Sequence, residues 1–462
     1  MADRSRLCRT LLTPRQPGQR ECLSHHITSV AHRNETFMSN TFDSSDQPIA
    51  IIGAGVVGTM TARSLMKRGR RVVLIDAHDG PAALCSRANA GIMAVGHADA
   101  WASPGAVGSV LRALVGREPA LKVTRLADPA LWSWGTAFLR NCTGKAHHRN
   151  SDRLQRLSRY SRNLLSAAEA DLGLPQDTRH DGGLYLFQNQ AQFDTRTASL
   201  TGDGLEVMSR ERLLEIEPAL RKMGDRLKGG IFSQEDSVGD CRLFTQRTVE
   251  TLRGSNRLQV CFNRRVTGLH RNGNRITAVE TDQGPVECGA VVLATGVETP
   301  QLTRPLGFVP QIYPVKGYSG TWQVRDPDGV PRLPFVDETE LLAVATYGGK
   351  LRVTAIAEFA GMDRSLPENR KRLLDTYVRR TFGDAVYHNN ATYWSGLRPT
   401  TPGGPPFLGR VRRYDNLWVN AGHGQLGWTM SLGCGELIAQ AMGGEPGALR
   451  DVSEPARWLV PI

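Results

Sequence analysis

Regular patterning begins at Ile49-Ala50-Ile51-Ile52, an unbroken apolar run that leads into Gly53-Ala54-Gly55-Val56-Val57-Gly58. Unbroken rather than alternating apolar character predicts a strand buried on both faces. Helical spacing follows from Val56 to Arg68, closed by Gly69 where a left-handed cap is wanted, and Arg71 to Ile75 is a second apolar strand ending at Asp76. Between about 100 and 225, Leu154, Leu157, Leu164, Leu165, Ala168 and Leu172 predict one amphipathic helix. Asp181 to Phe187 reads as a turn and a strand, and Glu211 to Leu220 as a short helix stopped by Pro218. A helix from about Leu243 to Arg253 and strands near Leu258–Phe262, Val266–His270 and Ile276–Thr281 come next, then a buried strand, Ala290 to Leu293, ending in Ala294-Thr295-Gly296. Tyr313 to Gly320 and Leu351 to Glu358 are strand-like, and Trp428 to Met442 is helical.

Strand, glycines, helix, strand and acid in register make a βαβ nucleotide fingerprint. Gly53 allows the tight turn, Gly55 leaves room for a diphosphate, and Gly58 lets the helix lie against the strand, so the N–H groups at Val56 and Val57 face the phosphates. The Asp76 carboxylate sits where two ribose hydroxyls need an acceptor and would repel a 2′-phosphate. The loop Cys85 to Gly91 has no use in a plain nicotinamide site. It suits a larger dinucleotide, with Ser86 and Arg87 meeting the second phosphate and Asn89, Ala90 and Gly91 letting backbone approach an aromatic ring system. Ala294, Thr295 and Gly296 end a strand some 240 residues later, which makes the two segments strands of one sheet interrupted by a second domain; Val266 is counted with the same cofactor contacts. Gly422, Gly424 and Gly427, with Gln425, Leu426, Trp428 and Thr429, form a bulk-free loop entering a helix whose positive end would stabilise a reduced flavin. Arg398, between Leu397 and Pro399, stands on stiff backbone suited to gripping a carboxylate. Tyr313, Tyr318 and Tyr347 are candidates to aim a phenol at that carboxylate, with packing as the competing role. His423 is a candidate base, although the glycines around it suggest that it orients the loop. Gly317-Tyr318-Ser319-Gly320 falls one residue short of a nucleophile elbow, which excludes a serine hydrolase.

Composition adds bounds. With 462 residues, 40% of them hydrophobic, the chain holds two or three domains' worth of core, and its longest apolar runs are strand-length. The net charge of +12 is spread along the chain and forms no basic stripe with interleaved aromatics, so nucleic acid is not expected, whereas an anionic membrane surface fits. The eight cysteines show neither a C-x-x-C pair nor zinc spacing, so no metal is expected and the thiols read as free in a reducing compartment. Residues 1–47 are Arg-rich, aperiodic and expected to be disordered, with a faint transit-peptide character; Met38 is an alternative start.

On the fingerprint with Asp76, Ser86 to Gly91, Pro314 to Ser319, Gly396-Leu397-Arg398-Pro399, and Gly422 to Gly424 with Leu426 to Thr429, the chain resembles the D-amino-acid oxidase superfamily of flavoproteins, most of all bacterial D-amino-acid dehydrogenases of the small-subunit type. The resemblance implies an α/β fold: a Rossmann-type, glutathione-reductase-like FAD-binding domain (48–100, 226–312 and 395–462) interleaved with an α+β substrate domain on a mixed or antiparallel sheet (101–225 and 313–394). It further implies non-covalent FAD, oxidative deamination of a D-amino acid to a 2-oxo acid and ammonia by hydride transfer from Cα to flavin N5, and a quinone or other respiratory acceptor. Arg398 would bind the substrate carboxylate, and Gly422 to Gly427 would lie along the flavin's pyrimidine edge. A cytoplasmic protein, peripheral on the inner face of the cell membrane, is the matching location. Thr354 and Ala355 stand where this family commonly has glycines, which leaves relatives acting on D-proline, hydroxy-D-proline, glycine or sarcosine as alternatives. A nicotinamide dehydrogenase and a non-catalytic flavoprotein are the alternatives of another class.

Overall fold

The structure is a computed structural model that describes residues 47–114, 121–173, 178–198, 200 and 204–462. The expected disorder of residues 1–47 lies outside these, Gln47 excepted.

Ile49–Ile52, Val72–Ile75 and Ala290–Leu293 pair in parallel, with Ile49 opposite both Val72 and Ala290. They are the centre of a seven-stranded sheet in the order Leu459–Pro461, Phe407–Val411, Leu417–Ala421, Ala290–Leu293, Ile49–Ile52, Val72–Ile75, Leu258–Cys261. The central strands are buried on both faces, which explains their unbroken apolar runs. One face carries the helices Val56–Lys67 and Gly427–Met442, which approach so closely that a Cβ on Gly435 would stand 2.8 Å from the Met60 carbonyl carbon. A Cβ on Gly58 would stand 1.9 Å from the Gly53 carbonyl oxygen, so the first helix meets its strand only because Gly58 has no side chain. Successive strands leave Ile49–Ile52 in both directions across the sheet, and this topology opens a crevice at the strands' carboxyl ends.

The second sheet has nine strands. Its ordered path runs Val386–Thr400, Tyr313–Val324, Lys350–Phe359, Leu342–Tyr347, Phe335–Asp337, Gly183–Phe187, Gly229–Ser233, Leu205–Ser209, while Leu121–Val123 pairs with Lys350–Phe359. Helix Glu368–Phe382 covers one face through Leu374, Tyr377, Val378 and Phe382; the other face turns to the crevice.

Several elements differ from their sequence reading. Gly229–Ser233 pairs with Gly183–Phe187 in the second sheet, and Val386–Thr400 crosses residue 395 unbroken, so segments grouped by sequence with the nucleotide domain build the other sheet. The single helix expected around Leu154 to Leu172 is two, Gly144–Asn163 and Leu165–Leu172, meeting at Leu164. The helix before Pro218 ends at Ile216, because proline drives Glu217 out of helical geometry (φ −135°, ψ 78°).

Candidate active site

A cavity of about 1570 Å³ lies between the carboxyl ends of the parallel strands and the free face of the large sheet. Gly53, Gly55, Val56 and Val57 form one end. The Val56 N–H donates to Ser86 Oγ at 3.1 Å, and a Cβ on Gly55 would meet nothing nearer than that oxygen, at 3.4 Å. The start of this helix lines the cavity, with Ser86 Oγ holding its first N–H. Asp76 sits at its strand end but not as a free acceptor: Oδ2 accepts from Ala54 N at 2.7 Å, and Oδ1 from His78 N at 3.0 Å. The Asp76 carbonyl holds Arg264 N at 3.0 Å, which brings Val266 to the cavity wall. Ala294, Thr295 and Gly296 line the same end, and Ser86, Asn89 and Ala90 the flank.

Four expected cofactor contacts lie elsewhere, the first being Gly58, which faces the Gly53 carbonyl and not the cavity. Arg87 is exposed, its guanidinium 4.5 Å over the Trp394 ring. Gly91 stands behind the wall with φ +74°, held by Asn89 Oδ1, and a Cβ there would lie 2.3 Å from the Tyr347 ring. Tyr347 is thus walled off from the cavity by the backbone it supports. Gly422 is also behind the wall, where φ +93° and the Thr401 methyl demand glycine. Gly424, Gln425, Leu426, Gly427, Trp428 and Thr429 line the cavity at the start of helix Gly427–Met442.

The sheet side is a row of residues in register on five strands, Val336, Ala343, Thr354, Ser319 and Trp394, all lining the cavity. Four of these five are no larger than valine, which leaves depth. Two residues beyond Trp394 and again beyond Gly396 comes Arg398. Its guanidinium lies flat over Gly317, where a Cβ would stand only 2.4 Å from Nη1. Nη1 donates to the Ile356 carbonyl at 3.0 Å, and among the described residues no carboxylate pairs with Arg398. Burial pulls its pKa below the ordinary value. The Ile356 carbonyl is turned by a bulge: Lys316 pairs with Glu358 but Tyr318 with Ala355, and Ile356 takes φ +69°, costly for a β-branched residue. Tyr318 lines the cavity, yet its phenol already donates to Glu358 at 2.9 Å, and Arg370 donates to the same oxygen at 3.0 Å. His423 is buried on the wall, Nε2 has no partner, and burial drives its pKa to about 3, so the imidazole is neutral.

No sequence motif marks His97 and Glu338. They form a 2.9 Å ion pair in the wall, with the His97 ring stacked on Tyr185. Burial opposes charge on His97, but the Glu338 carboxylate outweighs it and lifts the pKa to about 9. The strained carbonyl of Ile356 carries no sequence signal either.

A family model described as FAD dependent oxidoreductase matches residues 48–441. The chain belongs to that family. As an FAD dependent oxidoreductase it is 38% identical over 401 residues to "D-amino acid dehydrogenase 2" of Mesorhizobium japonicum, covering 86% of this chain and 96% of that one. It is 37% identical over 406 residues to a D-amino acid dehydrogenase of Rhizorhabdus wittichii (87% and 97% covered). Glycine oxidase from Geobacillus kaustophilus shares the fold at TM-score 0.70 with 20% identity (89% and 99% covered). L-Proline dehydrogenase from P. horikoshii shares it at TM-score 0.66 with 17% identity (87% and 94% covered). The site of this FAD dependent oxidoreductase fits its cofactor. A Cβ on Gly55 would meet only Ser86 Oγ, at 3.4 Å, at the cavity end of the cradle, and His423 Nε2, Ser319 Oγ and Trp394 Nε1 are buried polar atoms on the cavity wall that lack a protein partner among the described residues.

Proposed function

We propose that this FAD dependent oxidoreductase is a D-amino acid dehydrogenase, converting a D-amino acid to its 2-oxo acid and ammonia. The observation that carries the reading is Arg398, a guanidinium in the cavity wall with one carbonyl bond and, among the described residues, no counter-ion. An unpaired cation taken out of water costs several kcal/mol, which a bound carboxylate offsets with two parallel hydrogen bonds. The names of the relatives at 37–38% identity support the D-amino acid as the carboxylate's owner.

Gly53, Gly55, Val56, Val57 and Ser86 would hold the diphosphate, with Gly58 letting the helix close on its strand, Asp76 and Val266 the adenosine end, and Gly424 to Thr429 the flavin ring. FAD, when bound, takes up the two electrons and the hydrogen released from the substrate's Cα. The chain's part is orientation. Arg398 fixes the carboxylate, with Nη1 engaged by Ile356 and its remaining N–H groups presented to the ligand. Gly317 leaves the space that this stacking needs. Tyr318 keeps Glu358 satisfied and is no second carboxylate donor; Tyr347 supports the loop behind the wall. His423, neutral at every physiological pH, offers Nε2 as a hydrogen-bonding atom without adding charge. Electrons would pass to a quinone or another respiratory acceptor. No helix among the described residues is long and apolar enough to cross a membrane, and the +12 charge supports peripheral attraction to an anionic inner membrane face.

Replacing Arg398 with Ala should raise KM and lower kcat/KM by roughly a hundredfold or more while the purified protein keeps its FAD. Normal turnover by that variant would remove the carboxylate assignment. Anaerobic bleaching of the bound flavin by a panel of D- and L-amino acids tests the substrate class directly.

A further inference from the structure

Beside Arg398 the cavity extends into an annex that carries no charged side chain among the described residues. Beyond the Ile356 bulge the same strand presents Ala357 and Phe359, whose neighbours across the ladder are Leu121 and Val123. Trp134 closes the annex: its ring is 5.5 Å from Phe359, and its Nε1 donates at 2.8 Å to the carbonyl of Thr400, two residues past Arg398. The annex residues and Arg398 line one and the same cavity. Every described cavity-lining residue from Trp101 to Leu139 is uncharged. Trp132 and Leu139, 50% and 44% exposed, stand at the mouth. Within helix Pro129–Asn141, Gly135 lines this space, and a Cβ built on it would meet nothing within 4 Å. Glycine inside a helix is unfavourable relative to alanine, so its presence here is explained by the room it leaves.

We propose that this annex receives the substrate's side chain, and that the enzyme prefers amino acids with bulky apolar side chains, with Gly135 setting the depth of the pocket. The inference rests on the assignment of Arg398 to the carboxylate, since that contact places Cα and aims the side chain at Ala357 and Phe359. A wall of Leu, Val, Phe and Trp gains from each methylene that it removes from water, while an ammonium or carboxylate on the side chain would find no partner there among the described residues.

The test is Gly135→Leu in the FAD-loaded enzyme. Anaerobic flavin bleaching is followed with D-alanine, D-leucine and D-phenylalanine, and reoxidation with a short-chain quinone is measured separately. The wild type should favour D-leucine and D-phenylalanine over D-alanine. The variant should lose roughly tenfold to a hundredfold in kcat/KM for the two bulky substrates, and should keep D-alanine turnover and FAD content. Gly135→Ala, which favours the helix, covers the case in which leucine disturbs the fold, with the same ordering at roughly threefold. Equal losses for all three substrates, or none, would overturn the proposal. So would slowed reoxidation by the quinone with bleaching unchanged, which would make the annex a port for the acceptor. Failure of every D-amino acid to bleach the wild type would instead count against the parent reading.

Discussion

At the scale of single residues, the site depends on what small side chains leave open. Gly317 does not appear in any glycine fingerprint, yet it provides the surface on which Arg398 lies, with 2.4 Å between its missing Cβ and Nη1. Even alanine must push the guanidinium away from the Ile356 carbonyl. Gly317→Ala should therefore raise KM for amino acid substrates about tenfold or more with kcat less affected, and should weaken acetate binding, followed by the flavin spectrum, in parallel. An unchanged KM would show that the stacking is incidental. Arg398 itself was legible in the sequence from its rigid setting before proline. Its partners were not, because a left-handed isoleucine and a glycine on a neighbouring strand become partners only when the bulge forms. Tyr318 and Tyr347 show the opposite: their type suggested a phenol for the substrate, while packing committed one to Glu358 and put the other behind Gly91.

At the scale of elements, the strand–glycine–helix unit was readable to within a residue or so, since its apolar run and glycine spacing are local properties of the backbone. Gly53 and Gly58 are required by the fold itself, with 2.5 Å from a Cβ on Gly53 to the Ala294 oxygen and 1.9 Å from one on Gly58 to the Gly53 oxygen. Gly55 is different, because its missing side chain faces only Ser86 Oγ at 3.4 Å. Gly55→Leu should consequently fold, with near-native circular dichroism, but purify without flavin colour; a yellow Gly55→Leu protein would contradict the phosphate cradle. Elements in the second sheet were harder to assign. Gly229–Ser233 and Leu205–Ser209 carry no periodicity that tells which sheet they join, and only pairing decides it.

For the molecule as a whole, the cavity is closed by contacts between distant parts of the chain. The His97–Glu338 pair joins the loop after the nucleotide unit to the large sheet. With His97 raised to about 9 in the folded protein and near 6.5 unfolded, its stabilisation is fully present below about pH 6.5 and is lost as pH rises through about 9. The thermal midpoint of the wild type should fall across that window, and His97→Gln should start lower and follow a flatter curve. If the two profiles are parallel, the pair does not govern alkaline stability.

The amino-acid sequence by itself determined the nucleotide unit, the cofactor class and the candidate carboxylate anchor, because each is written in residues close together whose steric demands need no knowledge of the rest of the fold. The tertiary structure alone decided what surrounds that anchor: which strand lends a carbonyl, which glycine gives it room, which tyrosines are already spent, and which apolar side chains from Leu121 to Leu139 line the cavity beside it. Those outcomes depend on strand register and on a one-residue bulge, and a shift of a single position exchanges the faces of a strand.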